Sequence, residues 1–117
     1  MNIERHGSTR RYSEIVIHGE TVYFVEVPQT LNADIATQTR EVLASIEQSL
    51  SKAGSDRSRL LQVTLYLPDM NDYDAMNAVW DNWLGEGTAP VRACVAAALA
   101  NPGWRIEAAV VAARCAA

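Results

Sequence analysis

Two segments with helical spacing of apolar residues, each enclosed by β-rich runs, constrain this chain more than any other feature. The first helix is expected over about residues 33–52, where Ile35, Thr39, Val42, Leu43, Ile46 and Leu50 recur on one helical face. Asn32 or Asp34 supplies a cap at its start and Gly54 a stop at its end. The second is expected over residues 71–84, opened by the capping-box-like Asn71-Asp-Tyr-Asp74, with Tyr73, Met76, Asn77, Trp80 and Leu84 on one face. Around them lie strand-like runs: Ile15-Val-Ile17, then Thr21 to Val27 after the turn His18-Gly-Glu20, then Leu60 to Leu67, Val91 to Ala97 and Trp104 to Ala112. In the third run Leu61, Val63, Leu65 and Leu67 alternate with Gln62, Thr64 and Tyr66. The order is β-β-α-β-α-β-β. Each helical stripe must be buried against something, and the expected solution is an α+β fold with both helices on one face of a mixed sheet.

The 117 residues, 49% of them hydrophobic, provide for one domain spanning 1–117 with a core of its own. No repeat, linker or low-complexity segment divides it. A net charge of −4, with no basic run interleaved with aromatics, argues against a nucleic-acid partner. The short basic cluster Arg5, His6, Arg10 and Arg11 reads as a solvated edge. Cys94 and Cys115 show neither a CxxC nor a Cys/His ligand spacing, which fits a reducing compartment and excludes a zinc motif. His6 and His18 have no acidic partner at a ligand-like spacing, so no metal is expected. The polar N-terminus and the short apolar stretch Val91 to Leu99 point to a cytoplasmic protein with no membrane partner. Phosphate-cradling, dinucleotide-binding, zinc-protease and nucleophile-elbow motifs are all missing from the sequence, and no cofactor is expected.

One residue is out of place. Arg92 interrupts the apolar run Ala89-Pro-Val-Arg-Ala-Cys-Val95, where a guanidinium needs a carboxylate partner on the chain or on a ligand. Leu99-Ala-Asn-Pro-Gly103 is strong turn chemistry, expected to close a hairpin between the last two strands. A turn centred between Leu99 and Ala100 sets Arg92 opposite Glu107, with Cys94 on the same face. One reading of that pair is an exposed cross-strand ion pair worth under about 1 kcal/mol. The other is a ligand site, because Cys94 and Ala96 leave room above the sheet and arginine suits bidentate carboxylate binding. Asn77, an amide on the apolar face of the second helix, is either a satisfied core group or part of that site. Tyr12 is either a packed rim residue or a hydroxyl donor.

The tail Ala89-Pro-Val-Arg-Ala-Cys-Val95, the Asn101-Pro-Gly103 turn and Ile106-Glu-Ala-Ala-Val110 resemble the signature of the RidA/YjgF family. Thr37-Gln-Thr-Arg40 and Leu67-Pro-Asp-Met-Asn-Asp-Tyr-Asp-Ala-Met-Asn77 add to the likeness, which covers nearly the whole chain and is nearest to the YoaB-like branch. The resemblance implies a chorismate-mutase-like α+β fold and a homotrimer with clefts between subunits. It also implies cofactor-free hydrolysis of reactive 2-imino or 2-enamino acids to 2-oxo acids and ammonia. Carried over, Arg92 would grip the carboxylate of a small metabolite and Glu107 would position or activate water. Cys94 and Asn77 would line the cleft, and Tyr12 would sit at its mouth. Many relatives carry a Ser-Gly pair where this chain has Val25 and Glu26. A carboxylate at Glu26 facing the cleft would repel an anionic substrate, which keeps open the alternative of a non-enzymatic trimer that binds or senses small carboxylates.

Overall fold

The computed structural model of the chain describes residues 2–115. Its strands are β1 (Ile3–His6), β2 (Ile15–His18), β3 (Thr21–Glu26), β4 (Leu60–Leu67), β5 (Val91–Ala96) and β6 (Glu107–Ala113). Its helices are α1 (Ile35–Lys52) and α2 (Tyr73–Trp83). The strands form one six-stranded sheet in the order β1-β2-β3-β6-β4-β5, antiparallel throughout except for the parallel pair β4/β5. The expected α+β architecture is therefore present, with one additional edge strand, β1, formed from the polar stretch that contains Arg5 and His6.

Alternation of side chains across the sheet sorts the strands into two faces. Ile15, Ile17, Val22, Phe24, Val63, Leu65, Leu67, Ala108, Val110 and Ala112 point to one side and are buried. They pack against Val42, Leu43, Ile46 and Leu50 of α1 and Met76 and Trp80 of α2. The opposite face carries no helix. There Tyr23 is 44% exposed, Val25 53%, Val91 70% and Val95 43%, an apolar surface left uncovered in the single chain.

α1 begins where Asp34 accepts the Thr37 backbone N–H at 2.7 Å, a bond that also holds the Asp34 carboxyl below the usual range. It ends at Ala53, followed by Gly54 at φ +76°, a conformation that a side chain would strain. The second start differs from the capping-box expectation. Asp69 caps the short 3-10 turn Met70–Asp72, while Asp72 makes no cap bond. Its carboxylate instead takes two bonds from Arg105, at 2.7 and 3.1 Å. The regular alternation expected in β4 is also broken: a register shift between Leu60 and Gln62 turns Leu60 into the core and leaves Leu61 exposed.

The expected hairpin between the last two strands does not form. β4 lies between β5 and β6 and is paired to both. The Asn101 turn is real, with the Trp104 N–H bonded to the Asn101 carbonyl at 3.1 Å and the Gly103 N–H to Asn101 Oδ1 at 2.8 Å. It bends a longer connection, residues 97–106, past the end of β4. Local turn chemistry identified a reversal correctly but could not say that a third strand would be inserted into it. β5 leaves α2 and pairs parallel with β4, a helix-mediated crossover that a hairpin reading never considers. Gln38 braces the connection from α1: fully buried, it donates Nε2 to the carbonyls of Thr30 and Gly103 and accepts the Arg105 N–H at 2.7 Å.

Candidate functional site

The inserted strand separates Arg92 from Glu107. Arg92 is in register with Val63, which points into the helix-covered side. Glu107 is in register with Tyr66, whose face is the uncovered one. Directly paired residues share a face, so the two side chains lie two strands apart on opposite faces of the sheet. The cross-strand ion pair is excluded within one chain.

What Arg92 meets instead comes from α2. Residues 73, 77 and 80 lie on one helical face at spacings of four and three, and that face overhangs the edge strand β5. Arg92 Nη1 donates to Asn77 Oδ1 at 2.8 Å, and Nη2 donates to the Tyr73 hydroxyl at 3.2 Å. The guanidinium carbon stands 5.3 Å from the Trp80 ring centroid and 5.8 Å from that of Tyr73, both within cation–π range. Cys94, two residues on and on the same face, is half-buried; desolvation raises its thiol pKa, and the neighbouring Arg92 charge works against that rise. Among the described residues no carboxylate lies within 4 Å of Arg92. A half-buried cation thus rests on neutral partners alone.

The remaining expected residues gather elsewhere. Tyr12, Val25, Glu26 and Glu107 line a broad open groove of about 1030 Å³, together with Trp104 and Thr64. Glu107, at the start of β6, is half-exposed. Val25 stands opposite Ala109 on the uncovered face. Tyr12 is well exposed, in a loop pinned by the Thr9 N–H to Tyr12 carbonyl bond at 2.7 Å. Glu26 points the other way. It pairs with Ala108 on the helix-covered side and accepts the Ser49 hydroxyl of α1 at 2.6 Å. Burial raises its carboxyl pKa; the Ser49 bond and the Lys52 charge oppose the rise, and Glu14 adds to it.

Each chain therefore presents two partial sites: an Arg92–Asn77–Cys94 set at one edge, and a Glu107–Tyr12–Val25 set around the groove, with Glu26 turned toward α1. Tyr73 and Trp80 were legible only as helix-face residues, and their contact with Arg92 depends on where α2 lies over β5. Ser49 carried no sequence signal at all. Among the described residues no cluster of three or more His, Cys, Asp or Glu could hold a metal ion, and no helix is long and apolar enough to cross a membrane.

Residues 3–114 match the family model described as Endoribonuclease L-PSP. The chain belongs to this family, also called YjgF/RidA. The family's RutC family protein YoaB from Escherichia coli (strain K12) is 45% identical over 113 residues, which cover 97% of this chain and 99% of that protein. A RutC family protein from Haemophilus influenzae is 40% identical, covering 96% and 98%. Among solved structures, a YjgF family member from Neisseria meningitidis is 42% identical with a TM-score of 0.95, covering 100% of this chain and 98% of that one. A Pseudomonas aeruginosa protein is 45% identical with a TM-score of 0.93, covering 97% and 99%. These near full-length matches carry the YjgF/RidA fold onto this chain.

Proposed function

We propose that this YjgF/RidA protein hydrolyses small reactive 2-imino and 2-enamino acids to 2-oxo acids and ammonia, in clefts between the subunits of a homotrimer. The observation that carries the reading is Arg92. A half-buried guanidinium held only by an amide, a phenol and two aromatic faces keeps its charge available for a carboxylate from outside the chain.

The two partial sites are brought together by association. The apolar face bearing Tyr23, Val25, Val91 and Val95 is the kind of surface that a second copy covers. In such an assembly Arg92 of one subunit anchors the substrate carboxylate, and Glu107 of the next holds a water against the C=N carbon. The imine carbon is already electrophilic, so placement of water is most of the task. Water adds its oxygen to that carbon, and its proton goes by way of Glu107 to the nitrogen. As the resulting amino alcohol collapses, its hydroxyl proton passes by way of Glu107 to the nitrogen, the C=O bond forms, the C–N bond breaks and ammonia leaves. Cys94 and Asn77 line the Arg92 side of the cleft, and Tyr12 and Val25 the other. Because Glu26 is engaged with Ser49, its charge is directed at α1 and away from Val25's face.

The family model's endoribonuclease label implies an RNA surface. The net charge of −4 and the groove carboxylates Glu14 and Glu107 weigh against one here. The test is release of ammonia and 2-oxo acid from an enzymatically generated 2-imino acid, comparing the wild type with Arg92→Ala. Loss of the acceleration in the variant is expected. Equal rates refute the reading, and carboxylate binding by the wild type without turnover favours the sensing alternative.

A further inference from the structure

We propose that the Tyr73 phenol is a second anchor for the ligand carboxylate, acting beside Arg92. The proposal rests on the reading of Arg92 as a carboxylate anchor and adds a residue to it. A guanidinium has five N–H donors and no acceptor, whereas a phenol has one donor and also accepts. Arg92 Nη2 stands 3.2 Å from the Tyr73 oxygen, so the bond between them runs from arginine to phenol. That direction uses the phenol's acceptor side and leaves its own O–H to be donated. Among the described residues no acceptor takes that proton, and Tyr73 is 36% exposed, at the rim of the solvent-facing edge.

Arg92 uses one N–H on Asn77 and one on Tyr73, leaving three for a ligand. A carboxylate gripped by those donors arrives beside the phenol, whose O–H is already polarised by the charged donor behind it. Hydrogen bonds in such a chain strengthen one another. The same ring lies 5.8 Å from the guanidinium carbon, so Tyr73 fixes the direction of the arginine as well as extending its donor set. Tyr73 thus supplies a directional neutral donor where Asn77 supplies an acceptor, and the pair aligns the fork from both η nitrogens.

The separating experiment is calorimetric titration of the full-length protein with pyruvate, as a small 2-oxo monocarboxylate, using wild type, Tyr73→Phe and Arg92→Ala. Phenylalanine keeps the ring and its cation–π contact and removes only the hydroxyl. The expected result is a Kd for pyruvate raised roughly 12- to 160-fold by Tyr73→Phe, the range for one lost hydrogen bond to a charged group. The thermal midpoint should stay unchanged, and in imine turnover KM should rise while kcat holds. If Arg92→Ala abolishes binding and Tyr73→Phe leaves Kd at the wild-type value, the Tyr73 role is overturned while the Arg92 reading stands. If neither substitution changes Kd, both are overturned.

Discussion

Replacing Gln38 with leucine tests the brace that fixes the connection leading into β6 and Glu107. The Gln38 side chain is fully buried and makes three bonds: to the Thr30 carbonyl at 3.0 Å, to the Gly103 carbonyl at 2.9 Å and from the Arg105 N–H at 2.7 Å. Leucine fills nearly the same volume, so packing is conserved and water is kept out, while the polar partners lose their bonds to the amide. Thr30 is exposed and can turn to solvent, and the Gly103 carbonyl keeps the Asn32 N–H at 3.0 Å, so the half-buried Arg105 N–H is the group left without a partner. One poorly hydrated backbone group gives a loss of about 1–3 kcal/mol, a sizeable share of the ~5–15 kcal/mol that holds a typical domain together. At about 3–5 °C per kcal/mol for a chain of this size, the midpoint should fall by roughly 3–15 °C. The assay is urea and thermal unfolding at fixed protein concentration, with Gln48→Leu as the control. Gln48 lies on the exposed face of the same helix, where such a change is worth within about 0.5 kcal/mol. If leucine at 38 costs no more than leucine at 48, the brace has been misread and the connection is held by its own turn.

Further predictions concern Glu26 and the uncovered face. Burial raises the Glu26 pKa above the ordinary glutamate value, so the folded state favours the protonated form. A raised folded pKa contributes stability that is full below the unfolded pKa and is lost as pH rises through the folded one. Glu26→Gln, which keeps an acceptor for Ser49, should therefore be more stable than wild type at pH 7, with the difference closing below about pH 4; parallel urea curves at both pH values check this, and a wild type equal to the variant at pH 7 contradicts it. Val25→Asp places a charge on the apolar sheet face while leaving the helix-covered core untouched. Sedimentation should show the wild type as a trimer and the variant dissociating to folded monomers, and an unchanged trimer would remove that face from the interface.

Periodicity was a sufficient guide to the helices and to β4 because both patterns are local. Ile35 to Leu50 fall where apolar spacing places them, as do Val63, Leu65 and Leu67 of β4, while the register shift turns Leu61 outward. Topology was not local. The Asn101-Pro-Gly103 turn looks the same whether it closes a hairpin or bends a crossover past β4, and only pairing partners distant in sequence decide between them. A hairpin there would set Arg92 and Glu107 face to face, whereas one lies on the helix-covered side and the other on the open side. The residue types were nonetheless informative: an arginine in an apolar strand and an amide on an apolar helix face found each other at 2.8 Å. Asp72 shows the converse limit, since a capping pattern could not reveal that Arg105, 33 residues away, would claim its carboxylate.

Complementation between two dead variants tests most directly whether the site is divided between subunits, with Arg92 supplied by one and Glu107 by the next. Arg92→Ala and Glu107→Ala should each be inactive alone in imine hydrolysis. Co-expressed with different tags and purified through both, they should form mixed trimers in which some clefts pair an intact Arg92 with an intact Glu107. Every mixed trimer, whichever variant is in the majority, holds one such cleft of its three, so activity should recover to about a third of the wild-type level. Mixed trimers that stay as inactive as their parents would contradict the divided site.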